Sequence, residues 1–256
     1  MSEPSQRKPE EGALTDLPVV ICGGFLSFAM LYTELRETLQ TLTHRPAAIA
    51  DIGSGDWLFS VAPPGWIPLL DQLGVAVQTL MHQAGGQKVT LIGHSAGGVL
   101  ARLYLSPRPF YGRTYRGLDR VAHLITLGSP HYNQQQKLFG SWMARWVEKR
   151  YPGAAFAPDV RYTAVAGKLI YGRSEGSLRE RHAHEFYEDI GGEGETWGDG
   201  LIPVASALLE GAQQIILDDV GHFAGFGGPW YGEADVVQRW WSAATAAGET
   251  NAPIRV

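Results

Sequence analysis

Short, unbroken apolar runs alternate with helical spacing along most of this chain, and that alternation limits the folds open to it. Pro18-Val-Val-Ile-Cys22, Ala47–Asp51, Val89–Ile92, His123–Leu127, Tyr162–Ala166 and Gln214–Leu217 read as strands. Between them, the apolar residues at 31, 35, 39 and 42 and the stretches Ile67–His82, Val99–Leu105 and Glu233–Ala247 carry the period of a helix. A strand with one wet face alternates apolar and polar residues. These runs do not, so both faces must be covered. The expectation is an α/β fold, with a mostly parallel central sheet flanked by helices on both faces.

The chain has 256 residues, 45% of them hydrophobic, which suits one full-size domain. Residues 1–16 are too polar and too rich in Pro and Glu to pack, and are expected to form a disordered arm ahead of a single domain over 17–250. The arm lacks the apolar stretch of a secretory leader. No window of about 18 uncharged apolar residues occurs, so no transmembrane helix is expected and the expected location is cytoplasmic. The net charge is -5, without a basic run interleaved with aromatics, so nucleic acid is not an expected partner. The single cysteine, Cys22, supplies neither an internal disulfide nor a zinc cluster, and reads as a small buried strand residue.

One stretch breaks the alternation. Residues 131–161 carry Phe139, Trp142, Met143, Trp146 and Val147 at helical spacing, beside Arg145, Glu148, Lys149 and Arg150. The segment follows Gly128-Ser-Pro130 at the end of a strand. It is expected to be a helical cap or lid over a cleft; the alternative is a core helix packed on the sheet.

The chemistry concentrates at Gly93-His94-Ser95-Ala96-Gly97-Gly98, between the strand Val89–Ile92 and a helix. This is the G-x-S-x-G elbow in its strand–turn–helix context. A sharp turn holds the serine hydroxyl above the sheet, and positions 93 and 97 must lack clashing side chains. A serine hydroxyl needs a base to take its proton, and that base needs a carboxylate to orient it, in the chain order serine, acid, histidine. Among the downstream histidines, His123 opens a strand at the wrong end. His182 and His184 sit in a charged, surface-like segment, and His131 could line the site without being the base. His222, in the loop after the last apolar strand, is the expected base. Asp199, in Trp197-Gly-Asp-Gly-Leu-Ile-Pro-Val204, is the expected acid; Asp218 and Asp219 are rivals that lie too close to His222 along the chain. The oxyanion donors expected are the backbone amides of Ala96 and of Phe25, in the Gly23-Gly24 turn after the first strand.

Together, Pro18–Phe25, Gly93–Gly97, Gly198–Val204 and Gly221-His222-Phe223 resemble the α/β-hydrolase superfamily, and within it the lipase-like serine esterases, over roughly residues 18–247. One departure stands out: Gly23 occupies the place of the family's usual histidine in the first turn. The resemblance implies the α/β-hydrolase fold and cleavage of carboxylic esters through a Ser-His-Asp acyl-enzyme mechanism. It implies an apolar or lipid-like acyl substrate, transient contact of the lid with a lipid surface, and neither cofactor nor metal. A thioesterase or acyltransferase of the same fold, and a non-catalytic small-molecule receptor, remain open alternatives. Nothing in the sequence marks an oligomeric state.

Overall fold

The computed structural model describes residues 16–25, 27–60, 63–132, 141–246 and 253–256. Residues 1–15 of the arm expected over 1–16, and the lid residue Phe139, lie outside them. In chain order the elements are β1 (Val19–Cys22), α1 (Thr33–Thr43), β2 (Ala47–Ile49), α2 (Ser54–Leu58), α3 (Trp66–Gln83), β3 (Val89–His94), α4 (Ala96–Leu105), β4 (Val121–Leu127) and α5 (Ser141–Arg150). There follow β5 (Arg161–Lys168), β6 (Ile170–Tyr171), α6 (Leu178–Gly191), β7 (Trp197–Gly198), α7 (Val204–Ala207), β8 (Gln213–Asp218), α8 (Ala234–Thr245) and β9 (Ile254–Arg255).

The main sheet has seven strands in the order β2-β1-β3-β4-β5-β8-β9, all parallel. Every residue of β1 and β3 is buried, which is why these strands carry no polar alternation. On one face, Val20, Leu91, Leu124 and Ala164 pack with α3, α4 and α5. On the other, Ile21, Ile92, Ile125 and Val165 pack with α1 and α8. The expected doubly covered parallel sheet is therefore present. β6 and β7 form a separate antiparallel pair.

Two elements depart from the sequence reading. The charged run around His182 and His184 belongs to α6, whose buried residues Ala183, Tyr187 and Ile190 recur at helical spacing beneath the polar ones. Ser177 and Glu180 cap its start reciprocally, Glu180 N–H donating to Ser177 Oγ at 3.4 Å and Ser177 N–H to Glu180 Oε2 at 2.8 Å. At the other end, β9 pairs with β8, Ile254 opposite Ile215, so the sheet continues past the expected boundary at 250.

The insertion also differs from expectation where it is described. α5 buries Met143, Ala144 and Val147 in the same core as Trp66, Leu100 and Tyr104. The Trp66 ring lies 4.9 Å from Trp142 and 5.9 Å from Trp146. Buried Arg102 of α4 bonds Glu148 at 2.8 Å and the carbonyl of Tyr151 at 2.6 Å, pinning the helix end. This is the packing of a core helix. The half-buried Trp142 and Trp146 each support that packing, so Trp142→Ala and Trp146→Ala are expected to cost about 3 kcal/mol each. Thermal melting checks the loss. The relative rates on short and long esters are expected to stay as in the wild type; unchanged melting with an altered length profile would point to a cover.

Candidate active site

The strand order places the chemistry. The chain leaves β1 toward β2, then crosses back to β3 on the other side of β1 and continues outward. Where strand order reverses, the carboxyl ends of neighbouring strands open a crevice for ligands. Here those ends are Cys22 of β1 and Gly93 of β3, which sit opposite each other in register. Gly23-Gly24-Phe25 and His94-Ser95 thus leave the sheet side by side.

Ser95 takes φ 54° and ψ -129°, a backbone region that costs strain in a non-glycine residue and is typical of held functional turns. Its N–H is fixed by Leu127 O at 2.9 Å. The flanking glycines are needed for close approach: a Cβ at Gly93 would strike Gly98, and one at Gly97 would strike the carbonyl of Cys22. Ser95 also stands as N-cap of α4, so the positive end of that helix faces the hydroxyl.

The three expected side chains converge. Ser95 Oγ lies 3.0 Å from His222 Nε2, and His222 Nδ1 lies 2.7 Å from Asp199 Oδ2. His222 and Asp199 are fully buried, and Ser95 is 8% exposed. A carboxylate only accepts, so the proton of a neutral His222 sits on Nδ1 and leaves Nε2 free to accept from the Ser95 hydroxyl.

Asp199 is held by more than its histidine. Its Oδ1 accepts from the N–H groups of Leu201, at 3.0 Å, and Ile202, at 2.7 Å. Its Oδ2 also accepts from the hydroxyl of Tyr231 at 2.9 Å, and Gly167 N–H donates to that same hydroxyl at 2.6 Å. Burial, then the Asp199 charge, push the Tyr231 phenol well above its ordinary pKa, so it remains a donor. The backbone joins the two loops as well, His222 N–H donating to Asp199 O at 2.9 Å. Tyr231 was invisible to the sequence reading: its place in the site depends on the loop before α8 folding back over Asp199.

The rejected candidates have other partners. His123 meets Thr163 Oγ1 at 2.9 Å in the core, and His131 meets Thr126 Oγ1 at 2.9 Å and Arg102 at 3.4 Å. His182 is exposed on α6 and His184 half-buried there. Asp218 pairs with Lys168 Nζ at 3.4 Å. Ala96 opens α4, where an N–H has no acceptor within the helix. Gly24 approaches Ser95 so closely that a Cβ built on it would lie 2.7 Å from Ser95 Cβ, which sets Phe25 beside the Ser95 turn.

A cavity of about 710 Å³ lies beside Phe25 and Phe223; Met30, Leu31 and Trp230 line its apolar part, and Ser27, Thr33, Glu34 and Glu37 its polar part. Among the described residues, no group of three or more His, Cys, Asp or Glu side chains is placed to hold a metal ion. No described helix is long and apolar enough to cross a membrane.

Lipase BlEst2 of Bacillus licheniformis in its mature form superposes with a TM-score of 0.62 at 16% identity, covering 96% of this chain and 96% of that one. The chain has the α/β-hydrolase fold. Phospholipase PlaB of Legionella pneumophila matches with a TM-score of 0.60 at 15% identity over 91% of this chain and 59% of PlaB. The lin2722 gene product of Listeria innocua matches at 0.53 and 15% identity, over 94% and 98% of the two chains. The model of the PGAP1-like alpha/beta domain matches residues 69–149, the part of the hydrolase fold from α3 through the Ser95 turn to α5. No curated protein matches the sequence.

Proposed function

We propose that this protein is a serine hydrolase that cleaves carboxylic esters carrying apolar or lipid-like acyl groups. The observation that carries the reading is the continuous line from Ser95 Oγ to His222 Nε2 at 3.0 Å and from His222 Nδ1 to Asp199 Oδ2 at 2.7 Å. Lipase BlEst2 and phospholipase PlaB, similar in fold, support it by their names.

The steps follow from the proton positions. His222 Nε2 takes the Ser95 proton as Oγ attacks the ester carbonyl, and the carbonyl π electrons move to oxygen. The backbone amides of Ala96 and Phe25 receive that oxyanion. The intermediate collapses, its C–O bond to the alcohol breaks, and the imidazolium gives its proton to the leaving oxygen. Water then enters, loses a proton to His222 and releases the acid, the proton returning to Ser95. Asp199, held by Leu201, Ile202 and Tyr231, keeps the imidazole in the working tautomer and stabilises its charged form. The apolar part of the cavity, formed by Phe25, Phe223, Met30, Leu31 and Trp230, suits an apolar substituent.

A series of p-nitrophenyl esters from acetate to palmitate, run beside the matching acyl-CoA thioesters, tests the reading. Ester turnover is expected to exceed thioester turnover and to favour longer acyl groups through kcat/KM. Preference for the thioesters would make the protein a thioesterase. Binding of an apolar ligand without turnover of any ester would make it a receptor.

A further inference from the structure

Two buried polar side chains beside the site take no part in the steps above. Tyr32, from the turn before α1, is 1% exposed, and His94, the residue before Ser95, is fully buried. Gly24 N–H donates to Tyr32 Oη at 3.0 Å, Tyr32 Oη lies 2.9 Å from His94 Nδ1, and His94 Nε2 lies 3.2 Å from the carbonyl oxygen of His222.

The direction of every bond in this chain is determined. The His222 carbonyl can only accept, so His94 Nε2 must carry the proton. In a neutral ring Nδ1 is then bare, and the Tyr32 hydroxyl donates to it while its oxygen accepts from Gly24. The ring of His94 is enclosed by those of His222 at 4.8 Å, Phe223 at 5.2 Å, Tyr32 at 5.7 Å, and Trp230 and Tyr231 at 5.8 Å. Burial first, and then the neighbouring His222, hold its pKa well below the ordinary value, so the ring stays neutral while the catalytic histidine cycles.

The two ends of the chain are what matter. One end is the backbone at Gly24, next to the proposed oxyanion donor Phe25. The other is the backbone of the base itself. These two groups lie on loops 198 positions apart in sequence (Gly24 and His222), and the strands that lead into them, β1 and β8, are not neighbours in the sheet. Apolar side chains would fill the same space without the desolvation that a buried phenol and imidazole must recover through hydrogen bonds. We infer that Tyr32 and His94 are positioning residues that hold the oxyanion turn and the base-bearing loop in fixed register about Ser95. The inference rests on the hydrolase reading above.

The test uses Tyr32→Phe, His94→Gln and the double variant in the full chain. It reads kcat and KM on p-nitrophenyl acetate, the rate at which a p-nitrophenyl phosphonate labels Ser95, and thermal melting. Each single variant is expected to lose about 10- to 100-fold in kcat and in labelling rate at temperatures well below melting, with KM little changed, since displacements of an ångström have that effect. The links act in series, so the double variant is expected to lose no more than the worse single one. Folded single variants with wild-type kcat, or losses that multiply in the double variant, overturn the inference. Histidine ¹⁵N NMR of the wild type gives a readout that needs no variant: His94 is expected as the neutral Nε2–H tautomer, and an Nδ1–H or charged ring overturns it. A wild type that never labels at Ser95 refutes the hydrolase reading. Labelled wild type with unimpaired variants refutes the Tyr32–His94 link alone.

Discussion

Replacing Ser95 by alanine is expected to remove ester cleavage by about 10⁴-fold or more in kcat, as loss of one member of a nucleophilic unit does, while the protein stays folded. The reasons are local. The hydroxyl is the only group removed, and among the described residues its side-chain hydrogen-bond partner is His222 Nε2 at 3.0 Å. Alanine keeps the bond from the backbone N–H of position 95 to Leu127 O and the same backbone conformation, so the strain of the turn is unchanged. His222 remains anchored through Nδ1 to Asp199 and through its N–H to the Asp199 carbonyl. Kinetics on a short ester and a melting curve read both halves. Turnover near that of the wild type in folded Ser95→Ala would mean that another nucleophile does the chemistry.

Asp199→Asn is expected to lose roughly as much activity, since the equivalent exchange in a serine protease triad costs about 10⁴-fold through the wrong imidazole tautomer. The surroundings here make that outcome specific. The asparagine oxygen can go on accepting from Leu201 and Ile202, which contact Oδ1. The amide nitrogen must then replace Oδ2, facing two donors, the Tyr231 hydroxyl and His222 Nδ1–H. The conflict is relieved when His222 moves its proton to Nε2, which can no longer accept from Ser95. Asp218→Asn and Asp219→Asn supply the comparison. Asp218 is half exposed and pairs with Lys168 on the neighbouring strand, and Asp219 holds φ 63°, a conformation asparagine adopts readily. Both are expected to keep near-wild-type kcat, and a larger loss at either than at Asp199 would move the acid there.

How much of this was legible in the sequence depends on the distance over which each residue is determined. The strands of the sheet were legible because burial on both faces leaves runs that are apolar with little interruption, as in Val19–Cys22 and, with Thr90 as the exception, Val89–Ile92. Ser95 was legible because a sharp strand-to-helix turn demands glycine on both sides within five residues. His222 and Asp199 were legible from their glycine-bearing loops and their order after Ser95, although Asp199 follows β7 of the separate pair and only His222 follows a strand of the main sheet. Tyr231 was not, because only the fold brings the loop before α8 onto Asp199, and no local pattern marks a tyrosine as a carboxylate's donor. His94 stood inside the motif, yet its partner Tyr32 lies 62 residues away. The α5 stripe was ambiguous for a related reason: an apolar stripe reads the same whether it faces a cleft or Trp66 and Tyr104. Only packing settles that Met143 and Val147 belong to the main core. α6 was hidden by its charged outer face, although Ala183, Tyr187 and Ile190 already showed the inner one.

That Ser95 is the nucleophile, activated by His222, is tested most directly by mass spectrometry after incubation with a p-nitrophenyl phosphonate, which transfers its phosphonyl group to an activated serine and releases p-nitrophenol. One adduct per chain is predicted, mapping to the peptide that contains Ser95, and labelling is predicted to fall to background in His222→Ala. An ester-cleaving protein that carries no adduct on Ser95, or that labels Ser95 as fast without His222 as with it, would contradict the assignment.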